Sequence, residues 1–422
     1  MTRSDEARAP RHGGRRSRKQ AGPRPVAILA HSYYLEDPRV RRQAEALAAT
    51  GREVDVYALR NEGEAPEEMV AGVRILRLPV RRHQGAGLVT YFGEYLDFLV
   101  RAMLALAQRH PRRRYGLVQV ATLPDYLVLA ALPVRLAGGV PVLLDLHEAM
   151  PEFFRSRFPR LSSEPIHRLL GWVERASIGL ADQVLTVNDA LADRLRGLGV
   201  PARKVEVVLN APDLRHFDPS AHQARQFMAD GTLRLVYAGA VTPVYELDVA
   251  VDAVARLVYG AEGGQPLPFP VRLDVYGRGD SLEALRAQAA ARGVGEQIVF
   301  HGRIPLEEVA ERIAGSDVGL APTRRDAFTD FSLSTKLFEY AVMGKVAIAS
   351  HLPTVERYFG ADAVLFYEPG DAPSMAAAVR RLADEPGLRQ RLAERAAERV
   401  AALSWPAEAA RYVALVDRLA RG

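Results

Sequence analysis

Short apolar runs alternate with amphipathic helical patterns along most of this 422-residue chain, and this alternation constrains its fold more than any other feature. The first unit joins the apolar run PVAILAHS at residues 25–32, a helical pattern at 37–51 and the apolar run EVDVYALR at 53–60. Asp37 can cap this helix, and Pro38 suits its first turn. A strand-helix-strand unit of this kind predicts a parallel sheet covered by helices.

The alternation is interrupted at residues 210–232, where Pro, Asp and Gly occur without an apolar period, and it resumes afterwards. The predicted fold class is therefore α/β, with two Rossmann-like, doubly wound parallel-sheet domains facing across a cleft. Ligands of such sheets bind beyond the carboxyl ends of the strands. The predicted segments are a disordered basic tail at 1–25, a first Rossmann-like domain at 26–212, a second Rossmann-like domain at 213–404 and a closing helix at 405–422 that packs back on the amino-terminal domain.

The formal charge of +5 is concentrated in the first 25 residues, which hold eight basic and two acidic residues. The remaining chain is close to neutral, which argues against nucleic-acid binding because that needs a basic face. The tail is either a disordered extension or a polybasic segment that contacts anionic lipid. With no cysteine and no long apolar window, we expect a cytoplasmic protein, in solution or peripheral at the inner face of the membrane.

The stretch RRDAFTDFSLSTKLFEYAVMGK at residues 324–345 follows the strand pattern DVGLAPT and contains a helix pattern, TKLFEYAVMG. The amino terminus of this helix should point into the cleft, where free amides and the helix dipole favour an anion. Lys336 adds a positive charge, and Glu339 can reach a neutral polyol such as ribose. Alternatively, Glu339 only complements the dipole and Lys336 is solvated. The position after a strand favours a nucleotide site.

Other common sites have no match in the sequence. It contains no dinucleotide-binding glycine motif, phosphate loop or serine-nucleophile turn. Histidine pairs at metal-ligand spacing and an Asp-x-Asp doublet are also absent. We therefore predict neither a metal nor another cofactor.

Several segments together resemble the retaining GT-B glycosyltransferases of family 4, over residues 26–422. They are the 324–345 stretch, EDPRVRRQAEALAATGREVDV, LDLHEAMPEFF, TVNDALADRL, VLNAPD and YGRGDSLEALRA. The resemblance implies a nucleotide-sugar donor held mainly by the carboxy-terminal domain, and a glycan or lipid-linked acceptor on the amino-terminal domain. It also implies a reaction without a metal, in which the leaving diphosphate takes the acceptor proton and no protein nucleophile is needed.

The resemblance implies roles for individual residues. Glu339 matches the second glutamate of a paired motif and should bind the donor ribose, while Lys336 and the amides of Leu337 and Phe338 should lie by the diphosphate. His147 should touch the transferring sugar, although a structural role for this histidine stays open. Two further residues, Asn210 and Asp213, match the NAPD segment near the domain junction.

The sequence departs from the family pattern at two places. The first glutamate of the pair would fall at Phe331, so Asp330 is expected to supply its sugar contact. A basic pair that holds the diphosphate is replaced at Gly239-Ala240 and Tyr245-Glu246, although Gly239 and Tyr245 stay in the predicted donor site. Another cation must then meet the phosphate charge, and the candidates are Arg324, Arg325, Arg278 and Arg303, with Arg325 and Arg278 preferred.

The acceptor side is less well defined by the sequence. His31, Asp125 and Glu148 are candidates because they lie in loops that follow predicted strands. The apolar helical stretch at residues 87–115 is either a packed helix or a surface for membrane or a lipid-linked acceptor. Two other functions stay open: a nucleotide-sugar epimerase, which would need carboxylates such as Glu339, and a catalytically silent scaffold.

Overall fold

The computed structural model describes residues 22–80, 88–211, 217–260 and 265–420. Of the predicted tail over residues 1–25, only the last four residues lie within these ranges.

An eight-stranded sheet forms the centre of the amino-terminal domain. Its strands are β1 (Val26–Ala30), β2 (Val54–Leu59), β3 (Glu67–Val70), β4 (Val73–Leu78), β5 (Leu117–Ala121), β6 (Val142–Leu146), β7 (Gln183–Thr186) and β8 (Val205–Val207). They lie in the order β3-β4-β2-β1-β5-β6-β7-β8, and only the β3–β4 pair is antiparallel. Alternate residues of β1 enter two separate buried clusters, so the sheet carries a core on each face.

A six-stranded sheet, parallel throughout, forms the centre of the carboxy-terminal domain. Its strands are β9 (Leu233–Ala238), β10 (Val271–Tyr276), β11 (Ile298–Gly302), β12 (Val318–Ala321), β13 (Val346–Ser350) and β14 (Leu365–Tyr367). They lie in the order β11-β10-β9-β12-β13-β14, and this sheet also has a buried cluster on each face. Two such domains confirm the predicted doubly wound α/β class.

The helices of the first domain are α1 (Pro38–Ala49), α2 (Leu88–Arg113), α3 (Leu132–Gly138), α4 (Met150–Arg157), α5 (Glu164–Leu180) and α6 (Asp189–Gly197). Those that follow are α7 (Leu247–Tyr259), α8 (Leu282–Ala291), α9 (Leu306–Ala314), α10 (Thr335–Val342), α11 (Pro353–Phe359), α12 (Ala372–Asp384), α13 (Pro386–Ala401) and α14 (Trp405–Ala420). Across the described ranges, no helix has both the length and the apolar character that a membrane span requires.

Helix α1 begins as the sequence predicts. The Asp37 carboxylate accepts hydrogen bonds from the amides of Arg39 and Val40, at 3.1 and 3.2 Å, and Pro38 occupies the first helical position. These contacts satisfy two of the amides that a helix start leaves unpaired.

The β3–β4 hairpin was not predicted. Its turn uses Ala71 and Gly72, which both adopt positive φ angles, 49° and 80°. Tight hairpins need this backbone geometry, but alanine at the first turn position hides the usual Asn-Gly or Gly-Gly signal. The exposed, acidic strand β3 also lacks an apolar face.

Helix α14 packs on the amino-terminal domain, where its residues Tyr412, Leu415 and Val416 are buried with those of α1 and β1. The Glu408 carboxylate accepts a hydrogen bond from the Leu209 amide at 2.9 Å. The chain therefore crosses back to its first domain at its end.

The carboxyl edges of both sheets face the space between the domains. The strand order reverses between β1 and β5 in the first sheet, and between β9 and β12 in the second. Loops that follow strands at such reversals are the usual ligand-binding positions of doubly wound sheets.

Polar contacts join the two domains beside this space. The Asn188 side chain donates to the Phe331 carbonyl at 2.7 Å, and the Tyr358 hydroxyl donates to the Asp189 carboxylate at 2.8 Å. Further contacts are Arg357–Asp193, Ser156–Asp326 and the edge-to-face ring pair Phe153–Phe328. They connect α4 and α6 to the segment that precedes α10 and to α11.

Candidate active site

A cavity of about 720 Å³ lies between the domains. Its amino-terminal wall includes the loops after β1, β6 and β7, and its carboxy-terminal wall includes the loops after β9, β12 and β13. The cavity therefore opens at the carboxyl edges of both sheets. Of the predicted site residues, those that line it are His147, Glu148, Asn210, Tyr245, Lys336 and Phe338.

Lys336 is a buried cation on the wall of this cavity, with 7% of its surface exposed. Its Nζ atom lies 4.1 Å from the ring centroid of Tyr245 and 4.9 Å from that of Tyr237. Cation–π attraction stabilises an ammonium group in such a position. Gly239 makes room for it, because a Cβ atom at that position would lie 2.4 Å from the Lys336 Cε atom.

The start of α10 offers further groups for an anion. The side chain of Ser334, the N-cap residue, makes no cap hydrogen bond, and its hydroxyl has no partner among the described residues. Ser334 and Thr335 line the cavity beside Lys336. The side chain of Leu337 is buried in the domain core, and its amide donates to the Ser334 carbonyl at 3.3 Å. The start of α10 thus presents the Lys336 ammonium and the unpaired Ser334 hydroxyl at the cavity wall.

Glu339 lies one turn further along α10, partly buried and outside the lining of the cavity. Burial raises the pKa of Glu339, whereas the nearby charges of Lys336 and Arg42 act against that rise. The structure thus brings Glu339 close to the Lys336 cation, as the helical spacing requires. Its predicted contact with ribose stays a prediction.

A chain of buried polar groups extends beneath His147. The His147 Nε2 atom lies 3.1 Å from an oxygen of Asp145, which accepts a hydrogen bond from the Gln119 side chain at 3.0 Å. The Gln119 side-chain oxygen accepts from the Tyr412 hydroxyl on α14 at 2.6 Å. Helix α14 is therefore connected, through Gln119, to the Asp145 carboxylate that lies beside His147.

The arginines predicted to meet the phosphate charge do not line the cavity. Arg325 pairs with Asp330 at 3.3 Å, and Arg324 pairs with Asp248 at 3.2 Å. Arg278 and Arg303 are exposed and also lie outside the cavity lining. Asp330, predicted to contact the sugar, is absent from the lining as well.

Phe331 lines the cavity at the position where the family pattern has a glutamate. Its carbonyl accepts from Asn188, and the Arg194 guanidinium lies 6.0 Å from its ring centroid. Asn210 also lines the cavity, and its side-chain oxygen accepts from Arg42. Asp213 lies outside the described residues.

Two of the predicted acceptor-side residues lie below the cavity surface. The His31 ring is buried with its Nε2 atom 3.2 Å from a Glu94 oxygen, although its neighbours Ser32 and Tyr33 line the cavity. Asp125 is completely buried. Burial raises the pKa of Asp125 well above its ordinary range, and the Glu174 carboxylate adds to the rise. An acceptor in the cavity would not reach a carboxyl in this position.

Sequence reasoning missed other lining residues, among them Arg39, Asn188 and Thr242. Arg39 could have been found by the rule that selected Lys336. It lies in the first turn of a helix that follows a strand at the carboxyl edge of a parallel sheet.

Comparison with known families agrees with this architecture. Residues 37–211 match the model of the glycosyl transferase 4-like domain, and residues 232–385 match the model of the glycosyl transferases group 1. The two matches together cover most of the chain. The chain therefore contains a glycosyl transferase 4-like domain followed by a glycosyl transferases group 1 domain. It is an enzyme of the transferase class, as the sequence predicts.

Individual glycosyltransferases are distant relatives. A D-inositol 3-phosphate glycosyltransferase from Kineococcus radiotolerans is 25% identical over 393 residues, which cover 87% of this chain and 86% of the relative. Sucrose-phosphate synthase from Thermosynechococcus elongatus has a similar structure, with a TM-score of 0.75 at 20% identity over 94% of this chain and 99% of that one. Anabaena HepE, solved with UDP and glucose, gives a TM-score of 0.66 at 12% identity over 94% and 100% of the two chains. These structures confirm the predicted GT-B fold.

The packing of Lys336 against Gly239 can be tested with inorganic pyrophosphate as an anion probe. We expect Gly239→Ala to displace the flexible Lys336 side chain rather than unfold the protein. Titration calorimetry should show pyrophosphate binding roughly tenfold weaker or more, since hydrogen bonds to charged groups contribute about 1.5–3 kcal/mol. Lys336→Ala should have the same effect, and the double variant should bind no more weakly than Lys336→Ala.

Gly93→Ala is the matched control, because nothing lies within 4 Å of the added methyl group on α2. The geometry would be contradicted if the losses of pyrophosphate-binding free energy in Gly239→Ala and Lys336→Ala were additive in the double variant.

Proposed function

We propose that this glycosyltransferase moves a sugar from a nucleotide-sugar donor to a glycan or lipid-linked acceptor, with retention of anomeric configuration and without a metal ion. The observation that carries the proposal is the buried Lys336 ammonium on the cavity wall, held by two tyrosine rings. Among the described residues, no carboxylate forms an ion pair with this ammonium. Burial of a cation is costly unless a negative charge joins it, so a diphosphate suits this position.

The comparisons support the donor class. HepE was solved with UDP and glucose, and with UDP-glucose. The relative from Kineococcus radiotolerans is named as a glycosyltransferase for D-inositol 3-phosphate.

In the proposed reaction, the bond between the sugar carbon and the diphosphate breaks, and a bond from the acceptor oxygen to the same carbon forms on the same face. The leaving diphosphate takes the acceptor proton. Lys336, the Ser334 hydroxyl and the first amides of α10 stabilise the charge that develops on the diphosphate. Preorganised donors and cations of this kind contribute a few kcal/mol each in other enzymes.

His147 and Glu339 complete the proposed assignment. His147 lies on the opposite wall, beside the Asp145 carboxylate, and positions the transferring sugar. Glu339 contacts the donor ribose from α10. The diphosphate charge is met by fixed protein groups, which is the basis for proposing that no metal takes part.

The donor can be identified by thermal unfolding in the presence of UDP-, GDP-, dTDP- and ADP-sugars, each with magnesium or with EDTA. A ligand that binds only the native state stabilises it by RT ln(1 + [L]/Kd), about 2.7 kcal/mol at a hundredfold excess over Kd. We expect one nucleotide class to raise Tm equally with and without magnesium. Glu339→Ala should reduce this shift.

Glu283→Ala is the control for that variant, because Glu283 lies on α8 with 83% of its side chain exposed. A shift that requires magnesium would contradict the metal-free proposal, and no shift with any nucleotide-sugar would favour a silent scaffold. A wild-type enzyme that isomerises its donor without an acceptor would favour an epimerase.

The proposal also places the enzyme in the cytoplasm, peripheral at the inner face of the membrane. An exposed apolar stripe on α2 supports the proposed contact with the membrane. Its residues, at four-residue spacing, are Phe92, Leu96, Val100 and Leu104, which are 54%, 56%, 45% and 54% exposed. Arg112, near the end of the helix, is exposed as well. An apolar helix face with basic residues beside it suits an anionic lipid surface.

Membrane contact can be measured by co-sedimentation with vesicles of anionic and of neutral lipid. We expect binding to anionic vesicles to fall roughly tenfold or more in Leu96→Gln/Leu104→Gln, because each half-exposed leucine should lose about 1 kcal/mol of burial in lipid. Met69→Gln/Leu306→Gln removes exposed apolar residues elsewhere and should bind as wild type. Equal binding of all three proteins would contradict contact through this stripe.

A further inference from the structure

The cavity needs more positive charge than Lys336 supplies. A nucleoside diphosphate carries several negative charges, and the cavity wall also holds the carboxylates of Glu36, Asp37 and Glu148. Among the described residues that line the cavity, Lys and Arg occur twice, at Lys336 and Arg39. The first belongs to the carboxy-terminal domain, and the second to the amino-terminal domain.

Arg39 differs from the other arginines of α1 in its contacts. Arg41 pairs with Glu45 at 2.7 Å. Arg42 contacts Asn210, and its guanidinium lies 5.1 Å from the Trp405 ring centroid. The Arg39 guanidinium has no hydrogen bond or ion pair within the ranges that the structure describes, although the residue is only partly exposed.

A hydrogen bond to Asp37 fixes the backbone at Arg39, whereas its guanidinium makes no hydrogen bond to the described residues. Asp37 accepts from the Arg39 amide at 3.1 Å, so this carboxylate is engaged in capping α1. A guanidinium on a fixed turn loses less freedom on binding than one on a mobile loop, and it can donate two parallel hydrogen bonds to a phosphate.

We propose that Arg39 and Lys336 together form a phosphoryl-binding site that spans the cavity, with one cation from each domain. The inference rests on the proposed function and adds a residue from the amino-terminal domain to the binding of the charged substrate. An anion held by both cations would also bind more tightly when the domains are together, because separation removes one of its contacts.

The phosphoryl group can belong to the donor diphosphate or to a phosphorylated acceptor. The donor is the simpler source, since it requires one anion to bridge both cations. A phosphorylated acceptor would instead place its phosphate at Arg39, while the donor diphosphate stays at Lys336.

The experiment compares wild type, Arg39→Gln, Arg39→Lys and Arg41→Gln by titration calorimetry with UDP, GDP, dTDP, ADP and inorganic pyrophosphate. For the nucleotide that wild type binds, and for pyrophosphate, we expect Arg39→Gln to weaken binding about tenfold to a hundredfold, as for the loss of hydrogen bonds to a charged group. Arg39→Lys should restore part of the affinity because it keeps the charge. Arg41→Gln should bind as wild type.

Thermal unfolding without ligand separates binding from folding. Because the Arg39 guanidinium has no described partner to lose, Arg39→Gln should unfold at the wild-type Tm. A second titration, of inorganic phosphate into enzyme saturated with its nucleotide, distinguishes the source of the phosphoryl group. Loss of this phosphate binding in Arg39→Gln, with unchanged nucleotide affinity, assigns Arg39 to a phosphorylated acceptor.

Unchanged affinity for the nucleotide, for pyrophosphate and for inorganic phosphate in Arg39→Gln would overturn the proposal. A wild-type protein that binds none of the nucleotides contradicts the proposed function instead, and the pyrophosphate titration still tests the two-cation site in that case.

Discussion

The buried ammonium group of Lys336 is the interaction on which the rest of the site depends. Burial of a charge in this position is costly, and among the described residues the rings of Tyr237 and Tyr245 lie against it. Its place is created by Gly239, where any side chain would collide with it. The loop after β9 and the start of α10 therefore pack closely against each other at this point. Lys336 also lines the cavity.

Contacts between the domains hold the wall that lies opposite this cation. Asn188 holds the Phe331 carbonyl, and Tyr358 contacts Asp189, so α6 is joined to the segments that precede and follow α10. These contacts hold the amino-terminal wall, with Arg39 and His147, opposite Lys336. A charged substrate in the cavity would contact both domains, which explains why a site of this kind needs two domains rather than one.

Much of the fold could be predicted from the sequence because its signals are local. The cap at Asp37 and the apolar period of α1 lie within a dozen residues, and the predicted helix is confirmed. The hairpin formed by β3 and β4 could not be predicted, because its turn begins with Ala71 rather than glycine or asparagine. Its outer strand is exposed and short, so it also lacks the alternating pattern of a half-buried strand.

The site was less predictable, because the environment of a side chain depends on residues far away in the chain. Lys336 could be found from its place at a helix start. The pairing of Arg324 with Asp248 involves two distant segments, and the complete burial of Asp125 results from packing of the whole domain. Arg39 lies at a helix start as Lys336 does, but it was overlooked because two further arginines, Arg41 and Arg42, follow it in the same helix.

The most direct test is a crystal structure of the enzyme with the nucleoside diphosphate that it binds in solution. The diphosphate should lie between the domains, with its oxygen atoms about 3 Å from the Lys336 Nζ atom and within reach of the Arg39 guanidinium. A diphosphate bound instead beside Arg278 and Arg303, with Lys336 unchanged and without contact to it, would contradict the role of Lys336.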